Sequence, residues 1–473
     1  MTDFLTFSPS FAQMLVRLFI SLVVTWFIIF RLYYKKSKNR EFCFTFMLIS
    51  IAIFFIVFFM VFVLEDMKGK TSIERSEEQL QSVFRGFERT AENNTRRVLD
   101  AFREHRVSEA CFAGTTGYGY DDLGRETLEK IYADVFGAQA ALVRTTFVNG
   151  THAIACALYG ALQPGDVMLS VTGAPYDTLR TAITGQGRGS LSSYGVRYHE
   201  LPLAADGGPD LEEIKKTAAG LRPAVVYLQR SRGYGDRRAL SGEEIDAAAR
   251  AAKEACPGAA VIVDNCYGEF VETAEPCSVG ADLMAGSLIK NPGGGLAPMG
   301  GYIAGRADLV EYAAERMTVP GIGGECGASL GVNRSLFQGF FFAPHTVSQA
   351  LKTMAFAAMM LSALGFETSP GPFERRSDII QTLRLKTADN LVKFCQGIQK
   401  GSPVDSFAAP VPAPMPGYES QVVMAAGTFI QGASLELSCD GPLREPYLGF
   451  LQGGLTYEAG KLGVMSALET MLL

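Results

Sequence analysis

The chain has 473 residues with 43 Lys and Arg against 49 Asp and Glu, a net charge of −6. That balance leaves no basic footprint for nucleic acid, and the length suits a large core with a smaller lobe. Nine cysteines occur without any C-x-x-C pair and the four histidines (His105, His152, His199, His345) lie far apart, which argues against a metal site and a disulfide framework and for buried free thiols in a reducing compartment.

The first 65 residues read as a transmembrane helical hairpin. Residues 43–64, "CFTFMLISIAIFFIVFFMVFVL", carry no charge and are long enough to cross a bilayer; residues 11–30 form a second candidate span, interrupted by Arg17. The loop between them holds Arg31, Lys35, Lys36, Lys38 and Arg40, and the first ten residues hold no Lys or Arg. That asymmetry puts the loop in the cytoplasm and, with two full crossings, both termini outside. From residue 66 the composition turns polar, and "LQSVFRGFERT" (80–90) has apolar residues at helical spacing. Residues 66–110 are read as a linker and helix.

Beyond residue 110 the pattern is strand and helix in alternation. "DVMLSV" (166–171), "AVVYL" (224–228), "AVIVD" (260–264) and "AGSLI" (285–289) read as buried strands, and Ala-rich stretches such as "EEIDAAARAAKEA" (243–255) as helices. The fold class is α/β, with a mostly parallel sheet in a large domain (111–370) and a smaller C-terminal α+β domain (371–473). Ligands of such sheets sit at the carboxyl ends of the strands.

Four of those ends carry chemistry. Asn149, Gly150 and Thr151 precede an apolar helix, an arrangement that serves either as an ordinary N-cap or as a seat for a phosphate. Tyr176 follows the strand 166–171, as a loop tyrosine or as a ring over a flat ligand. Asp264 closes an apolar strand, where a carboxylate either caps the next segment or meets a positive partner. Lys290 closes another strand and is followed by Asn-Pro-Gly-Gly-Gly. A lysine there can have its pKa lowered, its neutral amine is a nucleophile toward aldehydes, and the glycines let backbone approach a ligand.

Five segments in order make the chain from about residue 72 resemble a known family: "TTGYGYDDLGRETLEKIYADVFGAQAALVR" (115–144), "VDNCYGEF" (263–270), "GSLIKNPGGGLAPMGGYIAGR" (286–306), "PGIGGECGASLG" (320–331) and "GPLREPYLGFLQGGLTYEAGK" (441–461). They resemble the methionine γ-lyase-like, aluminium resistance protein group of fold-type I pyridoxal-phosphate enzymes, relatives of the cystathionine lyases. The resemblance implies pyridoxal 5'-phosphate as cofactor, with Lys290 bonding its aldehyde, Asp264 pairing with its pyridine nitrogen and Tyr176 stacking on its ring. Asn149, Gly150, Thr151 and Ser287 would hold its phosphate. Tyr118 or Tyr120 would reach the phosphate of a neighbouring subunit, although the relatives' Tyr-x-Arg pattern is absent. Arg444 would grip the α-carboxylate of a small amino-acid substrate, or is a surface arginine before a proline turn, and Ala459 stands where relatives carry His.

The implied activity is carbon–sulfur lysis of an amino acid such as cystathionine, cysteine or methionine, by a homodimer or a dimer of dimers. Transamination, decarboxylation and a membrane-tethered scaffold without catalysis are the alternatives. Amino-acid substrates and reduced cysteines point to a catalytic domain on the cytoplasmic side of its membrane anchor, against the loop charges. The charges are reconciled if the Arg17 segment does not fully cross or if the first 65 residues are a joined fragment of another protein.

Overall fold

The computed structural model describes residues 73–415 and 420–472. The spans expected at 11–30 and 43–64 lie outside the described residues, and among the described residues no helix is long and apolar enough to cross a membrane. The chain divides into two compact units, one of residues up to Gln79 with Ala363–Gly365, the other Leu80–Ser362 with Phe366–Leu473. In the first, residues 73–79 are helical; the second, which opens with helical residues 80–104, contains both sheets.

The larger sheet has seven strands: β1 (Ala140–Arg144), β2 (Val167–Ser170), β3 (Arg197–Glu200), β4 (Val225–Gln229), β5 (Ala260–Asp264), β6 (Leu283–Ser287) and β7 (Gly301–Gly305). Their order is β1-β7-β6-β5-β4-β2-β3, and β7 alone runs against the rest. The central strands read as unbroken apolar runs because helices cover both faces. Along β4 and β5, Val226, Leu228, Val261 and Val263 enter one apolar layer, while Val225, Tyr227, Ala260 and Ile262 enter the other. Period-two alternation thus feeds two cores from one strand.

The helix Gly242–Ala255 between β4 and β5 shows why the Ala-rich stretch folds as expected. Ser241 accepts a bond from the Glu244 amide, the Glu244 carboxylate accepts one from the Ser241 amide, and Ile245, Ala248 and Ala252 turn inward.

The smaller sheet is antiparallel, ordered β10-β11-β12-β9-β8: β8 (Glu367–Ser369), β9 (Ile380–Arg384), β10 (Val422–Ala425), β11 (Ser438–Pro442) and β12 (Leu448–Gln452). The segment after β4 joins the sheets. The Ser231 hydroxyl donates to Asp378 at 2.8 Å, and Arg232 Nη1 donates to the Thr382 hydroxyl at 2.8 Å and to the Ser369 carbonyl at 3.1 Å.

Among the described residues eight cysteines are free thiols, most of them buried.

Candidate active site

Six strands of the larger sheet point the same way, so the segments leaving β1, β2, β4, β5 and β6 gather at one edge. A cavity of about 740 Å³ opens there, lined by Gly150, Tyr176, Asp264, Ser287 and Lys290 on the large-sheet side and by Asp440 and Phe450 of the small sheet. That volume lies in the usual range for small-molecule sites, roughly 300–1,000 Å³.

Asn149 is the N-cap of the helix Gly150–Ala161, and its side chain accepts a bond from the His152 amide at 2.9 Å. The capping explanation therefore holds for its side chain, while the Asn149–Thr151 segment also lines the cavity. At Gly150 the helix start presses on β6: a Cβ there would lie 3.0 Å from Ser287 Cβ and 3.4 Å from Cys266 Sγ. Glycine lets this helix start, with its free amides, approach this closely without displacing β6. The Thr151 hydroxyl accepts a bond from the Tyr176 hydroxyl at 2.9 Å. Gln229, at the end of β4, accepts from the Tyr176 amide at 2.9 Å, which fixes the ring from the other side.

Asp264 is buried at the end of β5 and accepts a bond from the Cys266 amide at 3.0 Å. Burial pushes its carboxyl up, opposed by the Cys266 amide and by the positive charge of Lys290. The loop beyond it is held by Arg230, which is fully buried and donates to Asn265 Oδ1 at 2.8 Å and to Glu272 at 3.0 Å.

Lys290 departs from expectation in three ways. β6 ends at Ser287, so the lysine lies three residues beyond the strand, entering the turn Asn291–Gly293. Its pKa is raised, not lowered: burial, the largest influence, acts downward, but Tyr267, Cys266 and Asp264 together outweigh it. The glycines after it face protein instead of the cavity. A Cβ on Gly293 would meet the Leu288 carbonyl at 1.8 Å and one on Gly294 the Gly339 carbonyl at 2.1 Å, so this turn is packed tightly against the helix Asn333–Ala363.

Sequence reasoning missed Tyr267, whose ring lies under the Lys290 amine. It also missed Arg232 and Asp440, both in the cavity wall. Arg232 is buried, its Nε 4.0 Å from the Asp378 carboxylate and its Nη2 without a hydrogen-bond partner, and burial lowers its pKa against the pull of Asp378. A basic pair on either side of serine directly after β4 was the available signal.

Arg444 stands exposed at the cavity rim, in the turn after β11. Tyr118 and Tyr120 do not reach the cavity of their own chain. They are 76% and 55% exposed and stack on each other with ring centroids 5.8 Å apart. Their loop is pinned from beneath: Asp122 accepts from the Thr115 and Ser329 hydroxyls, the Asn333 amide and the Arg125 backbone, while Arg125 donates to the Gly119 and Gly327 carbonyls. The result is a rigid loop that presents two aromatic rings outward.

Comparison with known proteins places these features in a family. A family model described as methionine gamma-lyase matches residues 69–472. The uncharacterized protein YnbB of Bacillus subtilis (strain 168) is 49% identical over 412 residues, 86% of this chain and 97% of that protein. A solved structure described as a carbon-sulfur lyase involved in aluminum resistance, from Clostridium novyi NT, superposes with a TM-score of 0.81 at 48% identity, over 84% of this chain and 94% of that one. The L-methionine gamma-lyase of Pseudomonas putida is 26% identical over 228 residues, 47% of this chain and 50% of that enzyme.

Proposed function

The chain belongs to the methionine gamma-lyase family, and from that premise we propose that it is a pyridoxal 5'-phosphate-dependent carbon–sulfur lyase acting on a sulfur amino acid. The observation that carries the reading is the meeting of Lys290, Asp264 and the Gly150–Ser287 contact in one cavity.

The residues fit the cofactor. A phosphate suits the free amides at the start of the helix Gly150–Ala161, with the Ser287 and Thr151 hydroxyls beside it. Asp264 is a buried carboxyl pushed up by burial, and it would hold a cationic pyridinium as the partner that favours its charged form. Tyr176 supplies the stacking ring and Lys290 the amine. When bound, the cofactor acts as an electron sink for negative charge at the substrate's Cα.

The chain's own groups do the remaining work. The Lys290 amine takes the proton from the substrate's Cα and later returns a proton, a general-base role that needs it close to the reacting carbon. Asp264 keeps the pyridine nitrogen protonated. Arg444, exposed at the rim, grips the α-carboxylate. Loss of a thiol from Cβ leaves aminoacrylate, which water hydrolyses to pyruvate and ammonia; loss from Cγ requires a further proton to leave Cβ first.

Two further assignments belong to this reading. The outward-facing Tyr118 and Tyr120 complete the phosphate site of an adjacent subunit, in a homodimer or a dimer of dimers. The N-terminal spans tether the catalytic part at the cytoplasmic face of a membrane, and protease protection in sealed vesicles tests that side.

The decisive experiment mixes the purified protein with the cofactor and follows visible absorbance, then thiol, keto-acid and ammonia release across a panel of sulfur amino acids. Colour and thiol release, both abolished by Lys290→Ala, are expected. A protein that stays colourless, or a keto acid formed only when an amino acceptor is present, overturns the assignment.

A further inference from the structure

Asp440 faces the reactive end of the cavity with one oxygen unused. The sheet register sets it between Met424 of β10 and Phe450 of β12, and residues opposite one another in an antiparallel sheet share a face. All three line the cavity. Phe450 fixes where on that wall the carboxylate lies. It packs with Ile380 and Leu448, and the side chains of Tyr234 and Tyr267 rest against that cluster. Tyr267 in turn carries the Lys290 amine over its ring. Against the effect of burial, a bond from the Tyr234 hydroxyl and the charge of Lys290 favour the ionised form of Asp440, whose own charge is felt by Tyr267. Yet Asp440 Oδ1 is closed off from solvent without a hydrogen-bond partner. An acceptor withdrawn from water in this way is costly unless a donor arrives to meet it.

The arginines of the same wall are engaged elsewhere. Arg232 donates to Ser369 and Thr382, and Arg237 to the Gln229 and Ser231 carbonyls. Lys290 is the cation of this end, and it faces two carboxylates, Asp264 and Asp440. With Asp264 assigned to the pyridine nitrogen, Asp440 is left to a donor that comes with the substrate. We infer that Asp440 docks the substrate's α-ammonium, so that Asp440 and Arg444 together recognise the paired charges of a free amino acid. The α-nitrogen has to be delivered beside Lys290, because Lys290 acts on the carbon that bears it. Arg444 stands in the turn after β11, so one strand and its turn supply an anion and a cation to the same cavity. This inference rests on the lyase reading and extends it to substrate capture. Burial pushes the Asp440 carboxyl up to about 6, which leaves it ionised at neutral pH to meet an ammonium.

The test uses S-methylcysteine and methylthiopropionate, which share a carboxylate and a thioether and differ by the α-ammonium. Stopped-flow absorbance on the cofactor-loaded wild type, Asp440→Asn and Asp440→Glu gives the half-saturation of the first spectral change with the amino acid. Calorimetry gives the binding of the deaminated acid, and titration gives the cofactor affinity of each protein. In Asp440→Asn the half-saturation for S-methylcysteine is expected to rise about tenfold or more, with cofactor affinity and methylthiopropionate binding unchanged. Asp440→Glu, which keeps the charge, recovers part of that loss. A half-saturation unchanged in Asp440→Asn, or a loss that weakens both ligands equally, overturns the inference. If the spectral change responds as expected but no sulfur amino acid releases thiol, the docking assignment stands and the lyase reading falls. A protein that takes up no cofactor removes both.

Discussion

The amine nitrogen of Lys290 lies 3.4 Å above the centre of the Tyr267 ring. The contact is built by the backbone. Tyr267 adopts a left-handed conformation with φ 71°, costly for a bulky residue by roughly 1–3 kcal/mol and tolerated when surroundings enforce it. Here Asn291, the residue after the lysine, donates to the Tyr267 carbonyl at 3.0 Å and the Glu269 carbonyl at 2.9 Å. The lysine turn and the loop after β5 are therefore one assembly.

Tyr267 is among the groups that hold the Lys290 pKa above its ordinary value. Below that pKa the neutral, reactive amine grows about tenfold per pH unit, so the rate at which the cofactor-free protein captures pyridoxal phosphate should keep rising beyond pH 10. In Tyr267→Phe, which keeps the ring and removes the hydroxyl, the profile should shift to lower pH and capture at pH 8 should quicken. Stopped-flow absorbance across pH reads this, and a profile that does not move removes the tyrosine from the account.

Gly150→Ala should impair both folding and cofactor binding. The added Cβ comes within 3.0 Å of Ser287 Cβ, so the helix start and β6 must part by a few tenths of an ångström. Overpacking of this kind costs about 1–3 kcal/mol. Thermal unfolding should report that loss, and titration with pyridoxal phosphate should show affinity weakened about tenfold or more.

The bonds donated to Asp122 overcome the opposing effect of burial and hold its carboxyl down at about 2. A depressed carboxyl pKa contributes stability above its unfolded value of about 3.8, lost as pH falls toward 2. Asp122→Ala should cost about 2–3 kcal/mol in urea unfolding at pH 7, with a smaller difference from wild type near pH 2. It should also release the loop carrying Tyr118 and Tyr120, seen as faster proteolysis near residues 114–122.

Glu269 behaves in the opposite sense. Its carboxylate accepts the Tyr302 hydroxyl at 2.8 Å, Oε2 has no partner, and burial pushes its pKa up to about 8. The folded protein retains a proton that the unfolded chain releases above about 4.5, so this group makes stability fall as pH rises from about 4.5 to 8. Glu269→Gln should flatten that window, where the wild-type slope from this group reaches at most about 1.4 kcal/mol per pH unit. Unfolding midpoints measured at pH 5 and pH 8 suffice to check it.

The legible parts of this site were those where a polar residue interrupts an apolar run. Asp264 ends a run buried on both faces, and β5 spans Ala260–Asp264 as the sequence indicates. Lys290 was located as a residue but misplaced in the fold, because Leu288 and Ile289 continue the apolar pattern through a turn. The glycines after it identify a close approach without saying to what, and their partners, Leu288 and Gly339, are set by tertiary packing. The small sheet was least visible. "SCDGP" of β11 lacks the alternation and β-branched residues that announce a strand, so Asp440 gave no sign that it faced a cavity.

The pairing of β1 with β7 joins Ala140 to Gly305, and this has a consequence for synthesis on the ribosome. At translation rates of about 5–20 residues per second, the apolar strand Ala140–Arg144 emerges on the order of ten seconds before its neighbour in the sheet, β7. During that interval the helix Leu123–Phe136, which packs on β1, is the local shelter available to it. Until β7 follows, β1 has an unpaired edge, the kind of edge that invites pairing with other chains.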